Sequence, residues 1–304
     1  MRALIISGGG SKGAFAGGVA QYLIENKKLD YDLFIGTSTG SLLVSHLALK
    51  KVKEVKELYT SVTQKDVFNV CPFNIKRKNG IETISINHFN VLRNILSGRK
   101  TFGESQNLRK LITDHVTEEG FNALKLLKAD VVVTVSNLSL NQVEYKSVKD
   151  FEYEEFMDWI WISCNYTPFM SLVKKGGCEY ADGGLGSMVP IEEAIRRGAT
   201  VVDAVVLQTE VTQYNRMPSL NAFSLLTNMF AFMLDRIEYQ NIRIGKFVAT
   251  NQKAIINFYY TPTVLTTNSL VFSKEKMTAW WQSGFDFAKH KNQESSPLKP
   301  EKTN

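Results

Sequence analysis

Tyr31-Asp32-Leu33-Phe34-Ile35-Gly36-Thr37-Ser38-Thr39-Gly40-Ser41-Leu42-Leu43 decides the fold. The apolar run over residues 31–35 predicts a buried strand, and the glycine-bounded stretch after it a tight turn. Leu42, Leu43, Leu47, Val52, Val55 and Leu58 then recur at helical spacing. The same unit stands just upstream, as a short apolar run over residues 2–7, the turn Gly8-Gly9-Gly10, and apolar residues at helical spacing to about residue 27. Two consecutive strand-turn-helix units imply a largely parallel sheet.

Downstream, residues 130–135 form a continuous β-branched strand that pairs with residues 142–148 as a hairpin. An aromatic helix over residues 151–164 ends before Pro168, and a short strand over residues 178–181 runs into Asp182-Gly183-Gly184. A helix (191–197), a buried strand (201–207), a long helix (220–244), a last strand (255–260) and a closing helix (274–289) come next. Residues 61–105 read as irregular, with Leu108, Leu111, Ile112 and Val116 marking a helix after them. The reading is one domain over residues 1–289 with a variable basic insertion at 61–106, and a mobile polar tail at 290–304 carrying Pro297 and Pro300.

The 304 residues are 44% apolar and 22% charged, an ordinary globular balance that excludes disordered and collagen-like chains. No apolar run approaches the ~20 residues of a membrane span. Residues 3–6 are too short for the apolar core of a signal peptide, although Ala14-Phe15-Ala16 imitates a cleavage site. Cys71, Cys164 and Cys178 make neither a CxxC nor a full set of pairs, which points to a reducing, cytoplasmic setting. The net charge of +6 is concentrated. Residues 70–110 hold Lys76, Arg77, Lys78, Arg93, Arg99, Lys100, Arg109 and Lys110 against Glu82 and Glu104. This stretch reads as a solvated surface or as a face for anionic lipid headgroups, with no nucleic-acid reader motif beside it.

Gly36-Thr37-Ser38-Thr39-Gly40 is GxSxG between a strand and a helix, the context of a nucleophile elbow, with Ser38 as candidate nucleophile. Gly36 and Gly40 leave room for the turn, and the following helix points its positive end at developing negative charge. Gly8-Gly9-Gly10-Ser11-Lys12-Gly13 fits GxGxxG, but the acidic residue a dinucleotide site needs at the end of the second strand is missing. The loop reads instead as an oxyanion hole built from the N–H groups of Gly9, Gly10 and Ser11, with Lys12 as a nearby positive charge. None of His46, His88, His115 and His290 follows a strand where a triad would use it, and all read as structural or solvated. Asp182, held by Gly183 and Gly184 at a strand end, is the remaining candidate base.

The ordered set Gly8–Gly13, Gly36–Gly40 and Asp182–Gly184 resembles the patatin-like phospholipase family, whose members share GGGxRG, GxSxG and DG[AG]. The resemblance covers roughly residues 1–207. It implies a three-layer α/β/α fold with a mostly parallel central sheet, and lipid acyl hydrolysis by a Ser38–Asp182 dyad without histidine, metal or organic cofactor. The implied substrates are phospholipids or other acyl esters, met through peripheral contact with an anionic membrane surface. Lys12 stands where the family has arginine, Met188 where it often has asparagine, and Ser163-Cys164-Asn165 where it tends to carry small residues. Two readings stand beside phospholipase A or lysophospholipase activity: a soluble thioesterase or carboxylesterase, and a catalytically silent lipid-binding module. The apolar stripe of Phe223, Leu226, Met229, Phe230 and Met233 reads as core, with an acyl groove or interfacial face as the alternative.

Overall fold

Apolar residues that alternate along the buried strands set the layering in the computed structural model, which describes residues 1–78, 81–211, 218–219 and 221–294. The strands are β1 (Arg2–Ile6), β2 (Leu33–Thr37), β3 (Phe73–Lys78), β4 (Ile81–Ile86), β5 (Asp130–Asn137), β6 (Gln142–Ser147), β7 (Val173–Lys175), β8 (Cys178–Asp182), β9 (Val201–Val206) and β10 (Ile255–Tyr260). The first helices are α1 (Gly13–Gln21), α2 (Thr39–Ala48), α3 (Val52–Ser61), α4 (Gln64–Val67), α5 (His88–Leu96) and α6 (Gln106–His115). After them come α7 (Glu118–Leu126), α8 (Tyr153–Ser163), α9 (Ile191–Arg196), α10 (Ala222–Gln252) and α11 (Lys274–Glu294).

From β1, Leu4 and Ile6 enter one apolar cluster while Ala3 and Ile5 enter another, and β2, β5 and β9 divide in the same way. The sheet is therefore buried on both faces, as the parallel run β10-β9-β1-β2-β5 requires. α9 and the C-terminal part of α10 cover one face. α1, α2, α6, α8 and α11 pack in the cluster on the other, completing three α/β/α layers.

The strand register brings two distant turns together. β6 occupies one edge of β5 along Val132–Asn137, so β2 and β8 share the opposite edge. β2 pairs up to Thr37 opposite Thr134, and β8, running the other way, begins its pairing with Asp182 opposite Val135. The two strands thus meet head-on, and their C-terminal residues face consecutive positions of one neighbour.

Three expectations change. The stretch before α6 is structured, as α4, the antiparallel β3–β4 hairpin and α5, because alternating Ile75, Ile84 and neighbours give it an apolar face against the core. The closing helix reaches Glu294 and takes in residues 290–294 of the expected tail; residues 295–304 lie outside the described residues. The apolar stripe of α10 is divided. Phe223 and Phe230 pack on Phe169, whereas Met229 and Met233 are exposed, since the aromatic cluster of Phe102, Tyr166 and Phe169 meets this end of α10 at the two phenylalanines.

Candidate active site

β2 ends in a backbone that side chains rarely adopt. Ser38 has φ 53° and ψ −122°, and it is the residue that opens α2. Strain of this kind persists only where neighbours hold it. A side chain at Gly36 would meet the Gly40 carbonyl carbon at 2.4 Å, and one at Gly40 the Ile6 carbonyl oxygen at 2.3 Å, so only glycine allows the turn to close. The Ser38 N–H donates to Ser163 Oγ at 3.0 Å, and Ser163 is itself bonded to Ser41 Oγ at 2.8 Å. Cys164 Sγ donates to the Ser38 carbonyl at 3.1 Å.

Asp182 is 4% exposed. The Ser38 hydroxyl lies close enough to its carboxylate to favour the charged form, and the carboxylate accepts the Gly184 N–H at 2.7 Å, while its own N–H donates to the Asn165 carbonyl at 2.9 Å. Burial pushes the carboxyl up to about 7, against Ser38 and the Gly184 N–H, which favour its charged form. A side chain at Gly183 would reach the Thr134 carbonyl at 2.2 Å, so this turn too is closed against β5.

The glycine loop lies beside these groups, with a Cβ at Gly8 coming within 3.1 Å of Ser38 Cβ. Gly10 holds φ +54°, where a side chain would also strike the Ser269 carbonyl at 2.2 Å. One expected donor is otherwise engaged: the Ser11 N–H donates to that same Ser269 carbonyl at 2.8 Å. The N–H groups of Gly9 and Gly10 have no acceptor among the described residues. Gly13 sits under Thr39 and Tyr59, which are hydrogen-bonded to each other, and Tyr59 donates to the Gly10 carbonyl at 2.6 Å. Lys12 Nζ donates to the Leu207 carbonyl at 2.6 Å. Burial lowers its pKa, opposed by Glu238 and Asp235. Burial in turn pushes Glu238 up to about 8, with Lys12 pulling it down.

Ser38, Asp182, Gly8, Gly9, Gly10 and Lys12 open onto one cavity of about 320 Å³. One end is polar, with Lys12, Gln208, Asp235, Glu238 and Thr261; the other runs between α2, α3 and α6 over Leu42, Val55, Leu58, Leu111 and Ile112. Among the described residues no histidine is hydrogen-bonded to Ser38 or Asp182, and no cluster of His, Cys, Asp and Glu is arranged to hold a metal.

Sequence reasoning missed several supports. Met188 fills the gap between Gly8 and Gly184, and its N–H, like that of Val189, donates to Asn241 Oδ1 of α10 at 2.7 and 3.3 Å respectively. The loop after Asp182 is thus held from a helix far along the chain. Nothing local marks Asn241, Ser269 or Glu238 in the sequence. Ser163 and Asn165 stand out in the sequence as a departure from the small residues of the family, but not as supports of Ser38 and Asp182.

The family model described as patatin-like phospholipase matches residues 4–195. A search of curated proteins finds no match. Among solved structures the chain is similar to VipD from Legionella pneumophila at a TM-score of 0.51 and 15% identity, over 95% of this chain and 66% of that one. The chain thus spans slightly less than two thirds of VipD, and at that identity the likeness concerns the fold. A match over most of the chain that takes in both the turn at Ser38 and the aspartate turn leaves one assignment: this chain belongs to the patatin-like phospholipase family.

Proposed function

We propose that the protein is a phospholipase A or lysophospholipase that cleaves carboxylic esters through Ser38 and Asp182 at an anionic membrane surface. The observation that carries the proposal is Ser38, held in a strained backbone, beside the buried carboxyl of Asp182, whose pKa is raised to about 7. An aspartate with an ordinary pKa near 4 is a poor base at neutral pH, whereas one near 7 is matched to the task.

In this mechanism Ser38 Oγ attacks the ester carbonyl carbon as its proton passes to Asp182. The carbonyl oxygen becomes an oxyanion facing the N–H groups of Gly9 and Gly10, with Lys12 adding positive charge nearby. Asp182 returns the proton to the leaving alcohol, and an acyl-Ser38 ester remains. Water, deprotonated by Asp182, then attacks this ester, releasing the fatty acid and restoring the serine. Loss of one oxyanion donor costs about 10²–10³ in rate.

Support for a membrane substrate comes from two helices. α5 exposes Phe89, Leu92 and Leu96 on one face, with Phe89 73% and Leu96 77% exposed, and carries Arg93, with Arg99 and Lys100 just beyond it. α10 exposes Leu225, Met229, Phe232 and Met233, while Ala231, Leu234 and Asp235 line the cavity. An apolar helix face edged by basic residues matches the boundary of an anionic bilayer. No helix among the described residues is long and apolar enough to cross a membrane.

The test is labelling by a fluorophosphonate probe followed by peptide mapping. Modification at Ser38, lost in Ser38→Ala and strongly slowed in Asp182→Ala, is the expected outcome. Folded protein that takes up no probe would contradict the proposal.

A further inference from the structure

The apolar end of the cavity is built from three helix stripes. Thr39, Leu42 and His46 stand at i, i+3 and i+7 along α2, and all three face the cavity. Leu108, Leu111 and His115 do the same along α6. On α3 and just beyond it, Val55, Leu58 and Val62 complete the wall. Each of the first two stripes passes through leucine to its last member, and that member is a histidine.

The two histidines lie at the same depth, since His46, His115 and Val116 line both this cavity and a second space of about 110 Å³ behind it. The second space is mixed in character, with Ser45, Lys51, Glu54 and Thr117 beside Leu49, Val116 and Gly120. His46 is 7% exposed. Its Nδ1, like Ser45 Oγ, is a buried polar atom without a hydrogen-bond partner among the described residues. Burial first, then the charges of Lys51 and His115, hold the ring neutral against Glu54 and a backbone hydrogen bond at His115.

We infer that His46 and His115 form the floor of the acyl channel and set the length of chain the enzyme takes. The inference rests on the lipid-hydrolase reading in one respect, that an acyl chain occupies the channel. His46 lies eight residues beyond Ser38, about 12 Å along the axis of α2. At about 1.3 Å per methylene, from standard carbon–carbon geometry, that depth holds an acyl chain of about ten carbons. A longer chain presses apolar carbon against two polar rings and toward the charged Lys51 and Glu54 behind them, and gains nothing by burial. The site therefore selects medium-chain acyl groups.

Binding of free saturated fatty acids of six to sixteen carbons, measured by titration calorimetry on the intact protein, tests this without depending on turnover. Affinity is expected to rise about 3–4-fold per added carbon up to about ten, and then to level off. In His46→Ala the vacated ring gives room for about two further methylenes, moving the break to about twelve. Leu42→Phe, one turn nearer Ser38 on the same face, moves it the other way and serves as the second variant if His46→Ala does not fold. An affinity that climbs unbroken to sixteen carbons, a break at the same length in folded variants, or no binding at any length would overturn the inference. The same series as p-nitrophenyl esters separates the two claims. A break in binding without hydrolysis of any ester leaves the floor standing and removes the hydrolase.

Discussion

Asp182 has to be buried to be a useful base and has to be charged to act, and the two demands oppose each other. With its pKa near 7, ester hydrolysis rises with pH on a limb centred at about 7, read from kcat/KM on a dispersed ester. The same shift fixes a stability difference. The folded state binds the proton more tightly than the unfolded chain, whose aspartate titrates near the ordinary 3.8. The stability this contributes is complete below about pH 4 and is lost as pH rises through about 7. Asp182→Asn, which keeps the acceptor for Gly184, is expected to be more stable than wild type by about 2–4 kcal/mol at pH 8.5, by chemical denaturation. The difference should narrow toward pH 5 and vanish below about pH 4. A variant no more stable at pH 8.5 would mean that the carboxyl is not held in a desolvated setting.

At the scale of elements, the loop between Asp182 and α9 hangs from Asn241. Asn241→Leu removes the acceptor of two largely buried N–H groups, at an expected cost of about 1–3 kcal/mol, and lets Met188 shift against both Gly8 and Gly184. The account predicts a fall in kcat larger than any rise in KM, because positioning rather than substrate contact is lost. On α5, replacing Phe89, Leu92 and Leu96 together by serine should lower the ratio of vesicle to dispersed-ester hydrolysis about tenfold. An unchanged ratio would place the membrane contact elsewhere. What was legible in the sequence divides along this line. Ser38, Asp182 and the glycine loop were readable because each turn demands glycine at fixed short spacing. Asn241 and Ser269 were not, because they act across the fold through a single side-chain or carbonyl oxygen. The Ser11 amide shows the limit of loop reading, since only the distant Ser269 decides where that N–H points.

For the whole molecule, the family match ends at residue 195, yet the C-terminal third of the chain closes the fold. β9 and β10 extend the sheet beyond β1, and α11 packs against α1 so closely that a side chain at Gly18 would meet the Trp281 carbonyl at 1.9 Å. Trp281 is fully buried, and its indole N–H donates to Gln21 at 2.8 Å. Gly18→Val is therefore expected to destabilise the protein by about 3 kcal/mol or more, and removal of α11 to abolish cooperative thermal unfolding. The largely parallel sheet came from the alternation of apolar runs and helical stripes, and the three layers from the resemblance to the patatin-like family. The hairpin and α5 did not, since a two-stranded ribbon and a helix with an exposed apolar face lack the burial pattern of core elements.

The central claim is that Ser38 and Asp182, brought head-on by β2 and β8 along one edge of β5, hydrolyse lipid esters. Fatty-acid release from anionic phospholipid vesicles carrying ten- or sixteen-carbon chains tests it most directly, with wild type beside Ser38→Ala and Asp182→Ala. The account predicts release by wild type, faster on the ten-carbon lipid, and a loss of at least ~10³-fold in either variant. Release undiminished in folded Ser38→Ala, or none from wild type on either lipid, would contradict it.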